Sequence, residues 1–374
     1  MKAHHLPKKL LLFLVCTLSV FLLSGCLHGE EQRQAATSGE RQVNAAPEAD
    51  GDNDSVTQVN GEEAASEKAY PTESQLAEAQ ANEAGQVMIL MYHVIGADKE
   101  SDWAQTTDNF RRDLQMFYEQ GYSLISLKDF VNNNISTPAG RTPLVLTFDD
   151  GTVGHFRCIY GEDGSRQIDP ECAVGILLDF GQKHPEFGHT ATFYVNNDPP
   201  FSQKGWEDKL GQLVELGFDI GNHSVSHAKL NKLSAEEVQK ELAGIPRLVE
   251  ETVPGYKVTS LALPYGLSPQ DYSLAVRGTY DGYTYEHDAV LRVGANPALS
   301  PVVKNFDPMR LPRVMASTVE LQKWLEYFQK NPSQRYISDG DPRTVAIPAG
   351  KEELLDQSKL QDRVLLVWGK EKQE

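Results

Sequence analysis

Positive charge is scarce in this sequence: 35 lysines and arginines face 53 aspartates and glutamates, for a formal net charge of −18. No basic stripe is visible, and phosphate binding relies on clustered Lys and Arg, so nucleic acid is excluded as a partner. Long apolar runs are scarce too. The extended one, residues 10–23, follows Lys2, Lys8 and Lys9 and is too short for a comfortable membrane span, so it reads as an export signal. Aromatics are almost missing from residues 27–86, where Tyr70 stands alone among Glu, Gln, Ala, Ser, Asn and Asp. Such a stretch has too little apolar surface to offset the entropy of ordering, and it is expected to be a disordered acidic tether with helix-forming composition at residues 73–84. No internal repeat is present.

Cysteine is the next shortage, with four in 374 residues. Cys16 lies inside the apolar run, and Cys26 ends the sequence Leu23-Ser24-Gly25-Cys26, which resembles the bacterial lipobox. That resemblance implies cleavage before Cys26, its acylation, and an extracytoplasmic protein whose membrane partner is reached through a lipid anchor. An ordinary secretory cleavage site is the alternative. Cys158 and Cys172 are left for the mature domain, where they either pair in a small looped disulfide or stay as two buried thiols.

What is present is the composition of a globular protein, 40% hydrophobic. From Val87 onward, short apolar runs alternate with longer amphipathic segments, the pattern of β/α units around a mainly parallel sheet or barrel. The expected organisation is a signal over residues 1–25, the lipidated cysteine and linker over 26–86, a distorted β/α barrel over 87–330, and a C-terminal extension over 331–374. Strands are predicted at residues 87–92, 122–125, 144–148, 191–195, 218–221, 259–263, 289–293 and 309–313. A helix capped by Thr107 carries Phe110, Leu114 and Phe117 on one face, and Ser234 to Glu237 forms a capping box that starts another. The polar, irregular stretch of residues 152–170 is read as an insertion over the site. The run at residues 364–368 is read as a closing strand.

Three clusters follow predicted strands: Thr147-Phe148-Asp149-Asp150-Gly151, Asn222-His223-Ser224-Val225-Ser226-His227 and Leu263-Pro264-Tyr265-Gly266. Each alone is weak, since Asp-Asp-Gly is usually a turn and two histidines four apart are usually solvated or packed. Together, at the strand ends where β/α barrels keep their chemistry, they form a set of one carboxylate and two imidazoles suited to a catalytic divalent ion. The neighbouring aspartate projects differently and is free to act as a base.

These motifs resemble the signatures of the NodB-like polysaccharide deacetylases, carbohydrate esterase family four, over roughly residues 87–328. The resemblance implies a distorted β/α barrel, Zn2+ or another divalent ion held by Asp150, His223 and His227, Asp149 as catalytic base, and the backbone N–H of Tyr265 on the oxyanion. It implies hydrolysis of amide-linked acetyl groups on an acetylated polysaccharide. Two departures stand out: Ala262 occupies the position of the arginine that usually orients the base, and the late Leu-x-Ile-x-x-His motif is missing. Both match the poly-N-acetylglucosamine deacetylase branch, which Tyr92-His93-Val94 and Leu311-Pro312-Arg313 also resemble. On that basis His93 is the general acid, and Arg313 either replaces the arginine near Asp149 or makes a surface salt bridge. Tyr265, Trp103, Tyr194 and Trp206 are candidates for sugar stacking, with Tyr265 preferred. Two other functions share the motifs: a catalytically inactive carbohydrate-binding surface lipoprotein, and an O-acetyl esterase acting on wall polymer or xylan.

Overall fold

Near-continuous apolar runs buried on both faces are what a parallel strand covered by helices requires. Met88–Tyr92 (β1) and Thr142–Phe148 (β3) are such runs, buried at every position. The computed structural model describes residues 69–370 except 198, 203 and 204, so Cys26, the signal and most of the expected tether lie outside the described residues. Among the described residues no helix is long and apolar enough to cross a membrane.

With β1 and β3, the strands Tyr122–Leu124 (β2), Thr192–Val195 (β4), Asp219–Asn222 (β5), Ser260–Ala262 (β6), Ala289–Leu291 (β7) and Val314–Met315 (β8) make one all-parallel sheet. Its order is β7-β6-β5-β4-β3-β1-β8, with β2 pairing the first half of β3. The open side is drawn together by one short stretch of chain. Leu311 pairs with Leu291 beside β7, and three residues later Val314 pairs with Leu90 of β1. The result is the expected distorted β/α barrel, a curled half-barrel bridged by residues 311–314.

Sequence and structure agree on most elements and differ at their ends. The helix Thr107–Glu119 is capped by Thr106, whose side chain accepts from Asn109 N, rather than by Thr107. Phe110, Leu114 and Phe117 are buried as their spacing requires, against a core that includes Phe148 and Phe193. Burying such a side chain fully is worth about 1.5–3 kcal/mol. The capping box of Ser234 and Glu237 starts the helix Ala235–Thr252.

Three expectations need correction. The linker does not run unstructured to Gln86: a helix at Glu73–Ala79 has its own capping box of Thr72 and Gln75, and Asn82 N and Glu83 N donate to Ile337 O and Ala346 O, both at 2.8 Å. Enough backbone partners exist there to offset a composition poor in apolar side chains. Residues 364–368 do not close the barrel, because they pair in parallel with Thr344–Pro348 in a separate two-stranded sheet. Residues 309–313 are not a strand throughout; a 3-10 turn at Pro308–Arg310 leads into the short β8.

Candidate active site

The sheet ladder delivers the first motif. Asp149 N donates to Tyr92 O at 2.9 Å, the last rung between β3 and β1, and the chain then turns through Asp150 at φ 78°. A left-handed conformation is costly for an aspartate, and such strain gathers at functional sites. His227 at φ 53°, Ser224 at φ 59° and Tyr265 at φ 56° share it.

The second motif starts where β5 ends, with His223 N donating to Val195 O at 3.0 Å. The loop beyond is clamped by the helix Ala235–Thr252. Glu241 accepts from Ser226 N at 2.9 Å and Ser226 Oγ at 2.8 Å, while Asn222 Nδ2 donates to Leu242 O at 2.9 Å.

Asp150, His223 and His227 each aim one donor atom at a common point, all within 4.8 Å of one another. His223 Nδ1 lies 2.8 Å from Ala262 O and therefore carries the proton, as this network assigns it. Its Nε2 then turns a lone pair toward Asp150 Oδ1, 3.3 Å away, and His227 Nε2 lies 3.4 Å from the same oxygen. Acceptors gathered this way require a cation or an added proton between them. Burial would lower the pKa of His223, but the Asp149 and Asp150 carboxylates outweigh it and the pKa rises. One carboxylate and two imidazoles with a second-sphere carbonyl fit a divalent ion such as zinc.

Asp149 has a different environment. It is 1% exposed, and its two oxygens accept from Arg313 Nη1 and Nη2, both at 2.7 Å. Burial alone would raise its pKa; the Arg313 guanidinium, then His223, hold it far below the usual carboxylate range. Arg313 is fully buried and also donates to Thr147 Oγ1 and to Arg292 O, each at 3.1 Å. Of the two readings of Arg313 the surface salt bridge is ruled out. The side chain reaches Asp149 because residues 311–314 bridge the barrel's open side, while Ala262, at the position of the missing arginine, contributes its carbonyl to His223.

A cleft of 260 Å³ unites these groups, lined by His93, Val94, Trp103, Asp149, Asp150, His223, His227, Leu263, Tyr265 and Val293. Burial pulls the His93 imidazole below its usual pKa, against the opposing pull of Asp149 and Asp150. Above this charged floor the walls are apolar. Trp103, 48% exposed, meets the His93 ring edge-on at 4.8 Å, and Tyr265, 54% exposed, lies 4.4 Å from the His227 ring with Lys229 Nζ 5.4 Å above it. Of the other stacking candidates, Tyr194 is buried under the floor and Trp206 packs on the core. Sequence reasoning missed Val94, Leu263 and Val293, whose apolar character carries no signal of a cleft wall.

The insertion expected over the site does not cover it, since no residue of 152–170 lines the cleft. It forms a hairpin of Cys158–Tyr160 with Arg166–Ile168 and packs beside the barrel. Cys158 and Cys172 are both buried and are not joined in a disulfide. Cys172 stands at the head of the helix Ala173–Lys183 with Sγ turned to Arg157 O, 3.7 Å away.

Residues 136–280 match the family described as Polysaccharide deacetylase. A chitin deacetylase of Arthroderma benhamiae is 25% identical over 122 residues, 33% of this chain and 27% of that one. The peptidoglycan-N-acetylmuramic acid deacetylase PdaC of Bacillus subtilis is 26% identical over 123 residues, again 33% of this chain and 21% of that one. The chain thus spans about a quarter of the length of these relatives. Among solved structures, IcaB from Ammonifex degensii superposes with a TM-score of 0.48 at 15% identity, covering 67% of this chain and 99% of that one. The family match runs from just before β3, through the loop that carries His223 and His227, to beyond the turn at Tyr265, so residues 136–280 of this chain are similar to a polysaccharide deacetylase domain.

Proposed function

We propose that this protein is a metal-dependent N-deacetylase of an N-acetylglucosamine polymer at the cell surface, held to the membrane by a lipid on Cys26. The observation that carries the reading is the division of labour in one cleft. Asp149 is kept ionised by its two bonds to Arg313, whereas Asp150, His223 and His227 converge on one another. The first is equipped to take a proton from an attacking water and the other three to hold Zn2+ or another divalent ion. The chemistry that such an ion supplies is Lewis-acid polarisation of the acetyl carbonyl and acidification of water. His93, in the same cleft, protonates the departing amine, and the Tyr265 N–H steadies the charge on the carbonyl oxygen.

Apolar walls closed by Trp103 and Tyr265 suit the faces of a sugar ring, and a polymer can pass along a cleft open at the surface. Tyr92-His93-Val94 and the arginine brought in late at Arg313 favour the poly-N-acetylglucosamine branch. The test is acetate release from β-1,6-linked and β-1,4-linked N-acetylglucosamine oligomers by the domain from residue 69 onward, before and after chelation and zinc restoration. Release that follows the metal and collapses in Asp149→Asn supports the reading, and a preference for the β-1,6 linkage supports the branch. Release only from O-acetylated glycans would replace the amide with an ester, and binding without release would make the protein a carbohydrate-binding lipoprotein.

A further inference from the structure

Where β1 stops pairing in the sheet, after Tyr92, the backbone of residues 93–95 needs other partners, because a buried carbonyl left without one is costly. Val94–Ile95 find them in a parallel pairing with Ala104–Gln105, and the segment after Gly151 supplies one for the His93 carbonyl. His155 is fully buried, its ring packed 5.3 Å from Phe148 and 5.9 Å from Phe193, and its Nε2 is hydrogen-bonded to the His93 carbonyl oxygen. A carbonyl only accepts, so Nε2 carries the proton and Nδ1 is the bare nitrogen; it is sealed from solvent and without a partner. Beside it, Gly154 approaches Ile95 so closely that an added Cβ would lie 1.9 Å from Ile95 O. The insertion therefore meets the end of β1 backbone to backbone. Among the described residues the His93 ring has no comparable tether. Its Nδ1 is buried and without a hydrogen-bond partner, and its ring contact is the edge of Trp103.

We propose that His155 is a positioning residue for His93: by holding the His93 carbonyl it sets the direction in which the imidazole enters the cleft. The segment 152–170 is then a brace on the proton donor rather than a lid. This rests on the assignment of His93 as the acid in the proposed reaction, while the brace itself is a structural statement. A proton donor displaced by a fraction of an ångström loses rate without losing substrate, since orientation acts on the chemical step.

The experiment compares His155→Phe, which keeps the ring and removes the donor, with His155→Gln, which keeps an N–H at similar reach. His155→Phe is expected to lower kcat between about tenfold and 100-fold with KM and zinc affinity unchanged. His155→Gln is expected to recover most of that loss, and His155→Phe added to His93→Ala to cost nothing further. In parallel, amide hydrogen exchange of the metal-loaded domain is expected to quicken at residues 93–96 in His155→Phe while Met88–Tyr92 stays protected. Should the wild type release no acetate, the proposed function fails, and the exchange measurement alone decides whether the brace exists. Unchanged exchange at residues 93–96, or losses in His155→Phe and His93→Ala that simply multiply, overturns the inference.

Discussion

Replacing Arg313 by methionine keeps most of the side-chain volume and removes the charge opposite Asp149. Both partners are buried, at 0% and 2% side-chain exposure, and the two hydrogen bonds between them are 2.7 Å long. Water therefore screens the pair little, and removing one member strands a carboxylate. That costs about 3–5 kcal/mol in buried pairs, far above the 0–1 kcal/mol of a surface bridge. The loss of bonds to Thr147 Oγ1 and Arg292 O adds to it. At about 2 °C per kcal/mol for a domain of this size, the metal-free protein should melt about 6–10 °C lower. Burial, the largest influence on Asp149, then acts against the charged form with its main opponent gone, so the carboxyl pKa should climb. A base works only when deprotonated, so the acidic limb of kcat/KM should move to higher pH in Arg313→Met. Asp149→Asn in the same chain should restore much of the melting temperature, because no charge is then stranded. A melting temperature within about 2 °C of wild type, with additive single and double substitutions, would refute the reasoning, since it would mean that the pair is solvated and contributes little.

Loading the protein with zinc at about 100 times its dissociation constant should stabilise it by about 2.7 kcal/mol in a melting assay, and His227→Ala should abolish most of that shift while leaving the metal-free melting temperature nearly unchanged. Trp103→Ala should raise KM for oligomers more than it lowers kcat, by about three- to tenfold, read from initial rates over a range of chain lengths; an unchanged KM would remove Trp103 from the sugar surface. Glu83 is buried, and burial followed by the Asp339 charge raises its pKa from 4.5 to about 8 despite hydrogen bonds from Ala346 N and Asp339 N. The folded state thus holds a proton that the unfolded chain releases above its own pKa, so this stabilisation is complete below about pH 4.5 and is lost as pH rises through about 8. Wild-type melting temperature should fall over that window and Glu83→Gln should flatten the fall; parallel slopes for the two proteins would show that Glu83 is not the group responsible.

The polar groups that line the cleft were legible because each sits at a strand end with a local signal: Asp-Asp-Gly after an apolar run, two histidines in one loop before a capping box, Tyr92-His93 at the end of the first strand. Local signals of this kind survive without knowledge of tertiary contacts. What depended on distant contacts was not legible. An arginine at residue 313 looks the same in sequence whether it meets solvent or Asp149, and the difference is made by the pairing of Leu311 with Leu291 and of Val314 with Leu90. For the same reason residues 72–86 looked like tether, although their partners lie some 250 residues further on, at Ile337 and Ala346. The insertion was visible as a polar stretch, but Gly154 and His155, which meet the chain just beyond β1, carry no spacing pattern.

The late origin of the arginine also ties Asp149 to the last strand of the sheet. Residues 311–314 bring Arg313 to Asp149, so the main counter-charge of that buried carboxylate comes from the segment that bridges the open side of the sheet. The donor set of Asp150, His223 and His227 comes from earlier parts of the chain. A substitution that loosens residues 311–314 should therefore cost Asp149 its partner while leaving the three convergent donors in place.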